Sequence, residues 1–76
     1  MEYTVDFPNS ELIRDIRMRL EEKLREEKLP VPNITQLSIY AENSLKEVRT
    51  RGNGILYEAI VTSGVEIALA KIRDSS

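Results

Sequence analysis

The sequence predicts a small α+β domain in which strands and helices follow one another along the chain. Residues 3–7 and 34–41 alternate between apolar and polar side chains, which is typical of half-buried strands. Residues 10–28 and 55–73 instead repeat apolar side chains at three- and four-residue spacing, which is typical of amphipathic helices. The 76 residues fit one domain, residues 1–76, and the predicted order is strand-helix-strand-strand-helix.

The first strand is predicted over residues 3–7 and stops at Pro8, because proline cannot donate a hydrogen bond to a sheet. A helix is expected from about Ser10 to Lys28, with an apolar stripe on one face and charges on the other. The charged face contains two pairs in which an acid precedes a base by four residues, an arrangement that stabilises helices: Asp15 with Arg19 and Glu21 with Arg25.

Two further strands are predicted in the middle of the chain, over residues 34–41 and 45–51. The polar residues Glu42, Asn43 and Ser44 separate them and favour a turn. We therefore expect a β-hairpin with Asn43 near its tip.

The last helix is expected from about Ile55 to Arg73, and its apolar side chains cover more than one stripe. A helix with so wide an apolar arc is either central in its own fold or shared with a partner chain. Gly64 inside it costs about 1 kcal/mol relative to alanine, which a close approach by another element would explain. Three residues of this helix are candidates for an interface between chains: Leu56, Ile60 and Ile67.

Composition narrows the classes of function. The chain has no histidine and no cysteine, so it lacks the commonest general base, the commonest metal ligand and any thiolate or disulfide. We expect no catalysis, no metal site, no cofactor and no small-molecule substrate. The N-terminus lacks the pattern of a signal peptide and no stretch is apolar enough for a bilayer span, which predicts a cytoplasmic protein without a membrane partner. A chain this short is marginally stable alone, so self-association is also expected.

One segment concentrates positive charge in a chain of net charge −2. The last predicted strand contains the basic residues Lys46, Arg49 and Arg51. A turn of Gly52, Asn53 and Gly54 follows it and leads into a helix. Arginine grips phosphate through paired hydrogen bonds, glycine permits close backbone approach, and a helix start attracts anions. The segment is either a phosphate-contacting edge or a solvent-exposed strand whose arginines pair with nearby acids.

Residues 49–60, which read Arg-Thr-Arg-Gly-Asn-Gly-Ile-Leu-Tyr-Glu-Ala-Ile, resemble the strand-to-helix signature of the Alba superfamily, as does the later Val-Glu-Ile-Ala at residues 65–68. The stage V sporulation protein S group shares that architecture and has a similar turn. The resemblance implies a compact two-layer α/β sandwich, a dimer, and contacts to DNA or RNA through basic strands and loops. It carries over position by position to Arg49, Arg51, Gly52 and Gly54.

The leading hypothesis is therefore a nucleic-acid-binding dimer with an Alba-like fold, which contacts phosphates and reads little sequence. The alternative is a non-catalytic protein-interaction or structural module that associates through its last helix, with the arginines as ordinary surface residues. The acidic net charge favours this alternative, since nucleic-acid-binding proteins usually carry a positive excess.

Overall fold

The computed structural model describes residues 9–51 and 56–75 of the chain, without the side chain of Arg51. Within these ranges the chain forms three helices and no strand. Helix α1 spans Asn9–Glu26, α2 spans Ile34–Arg51 and α3 spans Tyr57–Ser75. The predicted first strand at residues 3–7 and the Gly52–Gly54 turn lie outside the described residues.

The predicted α+β fold, and with it the two-layer Alba-like sandwich, is wrong. Both predicted middle strands and the turn between them belong to the single helix α2. The buried side chains of α2 follow helical spacing straight through the predicted turn: Leu37, Ala41, Ser44, Leu45 and Val48. The period-two pattern suggested that Ile39 shares a buried face with its neighbours, yet 51% of that side chain is exposed. Polar residues at the predicted turn lie on a helix.

The predicted first helix is confirmed as α1. Its apolar stripe is fully buried, through Leu12, Ile16, Leu20 and Leu24. Of the two predicted i,i+4 pairs, Glu21 and Arg25 form an ion pair of 2.7 Å. Arg19 pairs instead with a residue of α3, as described below.

A Schellman motif ends α1. Lys28 adopts a left-handed backbone conformation with a φ of 57°. Its N–H donates to the Arg25 carbonyl at 3.1 Å, and the Leu29 N–H donates to the Leu24 carbonyl at 2.9 Å. Leu29 also packs against the core cluster that contains Leu24. This combination satisfies otherwise unpaired carbonyls of the last turn, and it directs the chain back toward α2.

Asn33 caps the start of α2. Its side-chain Oδ1 accepts a hydrogen bond of 2.9 Å from the Gln36 N–H, and its carbonyl accepts one of the same length from the Leu37 N–H. Inside the helix, the buried Ser44 hydroxyl donates to the Tyr40 carbonyl at 2.7 Å. That bond satisfies a hydroxyl that would be costly to bury unpaired.

The helices run up, down and up. The end of α2 meets the start of α1, where Arg49 donates to the Asn9 side-chain oxygen at 2.9 Å. The starts of α1 and α3 are likewise adjacent, because the Tyr57 hydroxyl donates to the Asp15 carboxylate. Helices α1 and α3 are therefore parallel neighbours, and α2 is antiparallel to both.

Two apolar clusters fill the bundle, and every helix contributes to each. The first contains Leu12, Ile16, Ala41, Leu45, Val48, Ile60, Val61 and Val65. The second contains Leu20, Leu24, Leu37, Ala68, Leu69 and Ile72. Burying a large aliphatic side chain contributes about 1.5–3 kcal/mol, so these clusters are the main source of stability. The predicted last helix is confirmed as α3, and each of the three helices packs on both of the others.

Gly64 lies where α3 meets α1, as its cost within a helix suggested. A Cβ atom built on Gly64 would come within 2.6 Å of the Ile16 Cδ1 atom. The space that a side chain at position 64 would fill is therefore occupied by Ile16.

None of the helices in the part of the chain that the structure describes combines the length and the hydropathy of a membrane span.

Candidate functional site

An open groove of about 630 Å³ runs between the parallel helices α1 and α3. We call it the α1–α3 groove. Its α1 side is formed by Arg19, Glu22, Lys23, Glu26 and Glu27, which directly follows the helix. Its α3 side is formed by Thr62, Val65, Glu66, Leu69 and Arg73.

The floor of the α1–α3 groove is apolar. Val65 and Leu69 are one helical turn apart on α3, and they keep 5% and 6% of their surface exposed. Both belong to the core clusters, so their positions are fixed by packing inside the bundle. The groove is therefore built on rigid elements, with a narrow apolar strip that remains accessible from outside.

An ion pair between α1 and α3 lies at one end of the groove. Arg19 donates two hydrogen bonds to the Glu58 carboxylate, at 3.1 and 2.8 Å. The hydrogen bonds and charge of Glu58 raise the pKa of Arg19, and those of Arg19 lower the pKa of Glu58. Such a two-pronged contact has a defined geometry, which links the two helices at this position.

A second ion pair lies at the other end. Arg73 donates to both carboxylate oxygens of Glu27, with Nη2 at 2.5 and 2.6 Å and Nε at 3.1 Å from Oε1. The hydrogen bond from Arg73 lowers the pKa of Glu27, and Glu27 raises the pKa of Arg73. The floor residues Val65 and Leu69 lie between the two ion pairs along α3.

Tyr57 adds a further link beyond the first ion pair. Its hydroxyl donates to the Asp15 carboxylate and lies 3.2 Å from the Glu11 carbonyl oxygen. The hydrogen bond to Asp15, together with partial burial, raises the pKa of Tyr57 from its ordinary value to about 12. The phenol therefore stays protonated above its ordinary pKa of 10.0, and it joins the starts of α1 and α3.

The charged side chains of the groove outside the two ion pairs are mostly acidic. Among the described residues, Glu22, Glu26 and Glu66 form no ion pair, and neither does Lys23. All four are exposed. The two arginines of the groove are already paired with acids, so the charges left over are mostly negative.

Of the residues predicted to contact phosphates, those with described side chains lie on helix α2. Lys46 and Arg49 are exposed and three residues apart, so they share one face of α2. Arg51 is the last residue of α2, and its side chain is not among those that the structure describes. Gly52, Asn53 and Gly54 lie outside the described residues.

The three predicted interface residues have different positions. Leu56 precedes α3 and is 70% exposed, whereas Ile60 is 5% exposed and belongs to the first core cluster. Ile67 is half-buried and packs against that same cluster. Only Leu56 therefore offers a large free apolar surface.

A second, smaller groove of about 360 Å³ lies between α2 and α3. The Lys71 ammonium spans it and lies 3.3 Å from the Glu47 carboxylate. Its other lining residues are Glu66, Ile67 and Ala70.

Sequence reasoning did not identify the α1–α3 groove. Its two ion pairs join residues that are 39 and 46 positions apart, which local spacing cannot indicate. The one available signal was the wide apolar arc of α3, since Val65 and Leu69 extend that arc toward α1.

Comparison of the chain with protein-family models, with curated proteins and with solved structures found no match. No group of three or more histidine, cysteine, aspartate or glutamate side chains that could hold a metal ion occurs in residues 9–51 and 56–75.

Proposed function

We propose that this chain is a non-catalytic protein-interaction module that binds a helical segment of a partner protein in the α1–α3 groove. The observation that carries the proposal is the placement of the two ion pairs. Arg19–Glu58 and Arg73–Glu27 join the helices at the ends of the groove, while the groove between them is open and exposes a narrow apolar strip. An apolar strip between two helices is a common docking site for a third helix.

The dimensions of the groove suit a short helix. The two ion pairs are separated by about 12 Å along α1, from Arg19 to Glu27, and by about 22 Å along α3, from Glu58 to Arg73. Two to four turns of a helix, at about 5.4 Å for each turn, fit this length. Such a segment would lie along the bundle as a fourth helix and cover Val65 and Leu69.

The charges of the groove favour a protein partner over nucleic acid. Among the described residues, the side chains of the groove that form no ion pair are three glutamates and one lysine, and their net negative charge would repel phosphates. Nucleic-acid binding could involve only other surfaces, such as the exposed Lys46 and Arg49 on α2. That earlier hypothesis is the main alternative outcome of the experiment below.

The experiment uses the absence of native cysteine, which makes any introduced thiol unique. Thr62→Cys places a thiol in the α1–α3 groove, and Asn43→Cys places one on the exposed surface of α2. Each variant is labelled with a photo-activated crosslinker and irradiated in an extract of the source cells. We expect one protein to crosslink at position 62 and not at position 43, and excess unlabelled chain to compete with it.

The crosslinked protein is then produced pure, and the attached residue is located by mass spectrometry. We expect that residue to lie in a helical segment that binds the purified chain on its own. Equal crosslinking at both positions, attachment to nucleic acid, or a second copy of this chain as the only product would contradict the proposal.

A further inference from the structure

We infer that the α1–α3 groove selects a partner helix that carries lysine or arginine on both sides of an apolar stripe. The inference rests on the proposed function and specifies the chemistry of the occupant. It follows from which charges in the groove are already paired and where the others lie.

The arginines of the groove are already paired with glutamates. Arg19 and Arg73 are the two arginines of the groove, and each is held by two hydrogen bonds or more to a glutamate of its own chain. An acidic ligand would have to displace these intramolecular partners. Among the described residues, basic groups on a ligand would instead meet carboxylates that form no ion pair, those of Glu22, Glu26 and Glu66.

The other charged side chains of the groove, as far as the structure describes them, have a negative excess. Glu22, Glu26 and Glu66 each contribute −1 and Lys23 contributes +1, so the unpaired side chains of the groove carry a net charge of −2. A ligand with positive charge neutralises this excess. An acidic ligand would add to it, and electrostatic repulsion between like charges is an effective way to reject wrong partners.

The glutamates outside the ion pairs lie on both sides of the apolar floor. Glu22 and Glu26 are four residues apart and therefore lie one above the other on the α1 side of the groove. Glu66 lies on the α3 side, next in sequence to Val65 of the floor. Negative charge therefore flanks the apolar floor on both sides. A helix whose apolar residues contact Val65 and Leu69 would place basic residues on either side of its stripe within reach of these carboxylates.

The test uses two synthetic peptides and the intact chain. One is a helical peptide of about 15 residues with leucines at three- and four-residue spacing and lysines on both flanks. The other has glutamate in place of every lysine. Binding is measured by fluorescence anisotropy, and the contact surface is mapped from NMR amide shifts. We expect the lysine peptide to bind at least about tenfold more tightly and to shift amides around Val65 and Leu69.

Matched variants separate the groove from general electrostatic attraction. Glu22→Gln with Glu66→Gln removes one carboxylate from each side of the groove, whereas Glu11→Gln with Glu42→Gln removes two exposed carboxylates outside it. Both variants change the net charge equally. We expect the first to weaken binding of the lysine peptide at least about fivefold and the second less than about twofold.

Equal binding of the two peptides, equal effects of the two variants, or no binding of the lysine peptide would overturn the inference. None of these peptide results would change which protein crosslinks at position 62. A groove that binds a neutral or acidic helix would therefore fail the peptide test and still pass the crosslinking test. Failure of the crosslinking experiment would instead count against the proposed function itself.

Discussion

The Cδ1 atom of Ile16 lies 2.6 Å from the place that a Cβ atom on Gly64 would occupy, and its Cγ1 atom lies 3.1 Å from it. Ile16 is fully buried, so its side chain is surrounded and has little freedom to move aside. Helix α3 therefore lacks a side chain where α1 inserts one. This contact sets how closely the two helices approach, and through them the width of the α1–α3 groove.

Gly64→Ala is expected to destabilise the chain by about 1 kcal/mol. Alanine gains about 1 kcal/mol in helix propensity, but the added methyl group must displace Ile16, and overpacking of a core costs about 1–3 kcal/mol. Urea denaturation followed by circular dichroism measures the net change. A variant more stable than the wild type would show that Ile16 rearranges without cost.

A double-mutant cycle tests whether Ile16 is the cause. Ile16→Val removes the Cδ1 atom at a cost of about 0.5–1.5 kcal/mol. In that background Gly64→Ala should be neutral or stabilising, which gives a favourable coupling of about 1 kcal/mol. Additive effects of the two substitutions would locate the strain elsewhere.

Helices α1 and α3 could be predicted from the sequence because their apolar spacing is uninterrupted over several turns. Helix α2 could not, because its N-terminal half satisfies two periodicities at once. Leu37 and Ala41 are four residues apart, which fits a helix, while Leu37, Ile39 and Ala41 alternate, which fits a strand. Tertiary packing decides between them, since it buries Leu37 and Ala41 and leaves Ile39 exposed.

The assignment of a turn at residues 42–44 compounded the error. Ser44 is polar, which favours a turn, yet it is fully buried and its hydroxyl donates to the Tyr40 carbonyl. A serine that bonds back to its own helix looks the same in sequence as one that begins a turn. The same error hides the α1–α3 groove. Helices α1 and α3 become parallel neighbours only because α2 is a single helix that runs back along the bundle.

Lys28→Gly is expected to stabilise the chain by about 0.5–1 kcal/mol. Lysine pays about 1–2 kcal/mol to adopt the left-handed conformation that ends α1, whereas glycine adopts it freely and loses part of that gain to greater freedom when unfolded. Lys46→Gly is the matched control, because Lys46 is exposed inside α2 and should lose about 1 kcal/mol. Chemical denaturation should show opposite signs; a loss at both positions would contradict the role of Lys28.

Ile60→Asp and Leu56→Asp distinguish core from surface at two of the predicted interface positions. Ile60 is buried in the first core cluster, so an aspartate there should cost at least about 3 kcal/mol or prevent folding. Leu56 is exposed and is the N-cap of α3, since its carbonyl accepts the Ile60 N–H at 3.0 Å. Because aspartate is a good N-cap residue, the same change there should leave the free energy of unfolding unchanged or raise it by up to about 2 kcal/mol. Thermal and urea denaturation measure both. Similar losses at the two positions would mean that Leu56 is covered in solution, and a concentration-dependent transition would then indicate association.

Tyr57→Phe is expected to lower stability at about pH 8 and to have a diminishing effect as the pH rises. The pKa of Tyr57 is raised from 10.0 to about 12 by its hydrogen bond to Asp15, so folding favours the protonated phenol. A group whose pKa is higher in the folded chain contributes stability that is complete below the unfolded value. That contribution is lost as the pH rises from 10 through about 12, where the phenolate would face the Asp15 carboxylate. Urea denaturation of both proteins across this range, with Tyr40→Phe as a control on α2, measures the difference. A constant difference between wild type and Tyr57→Phe up to the highest pH would show that folding does not raise the pKa of Tyr57.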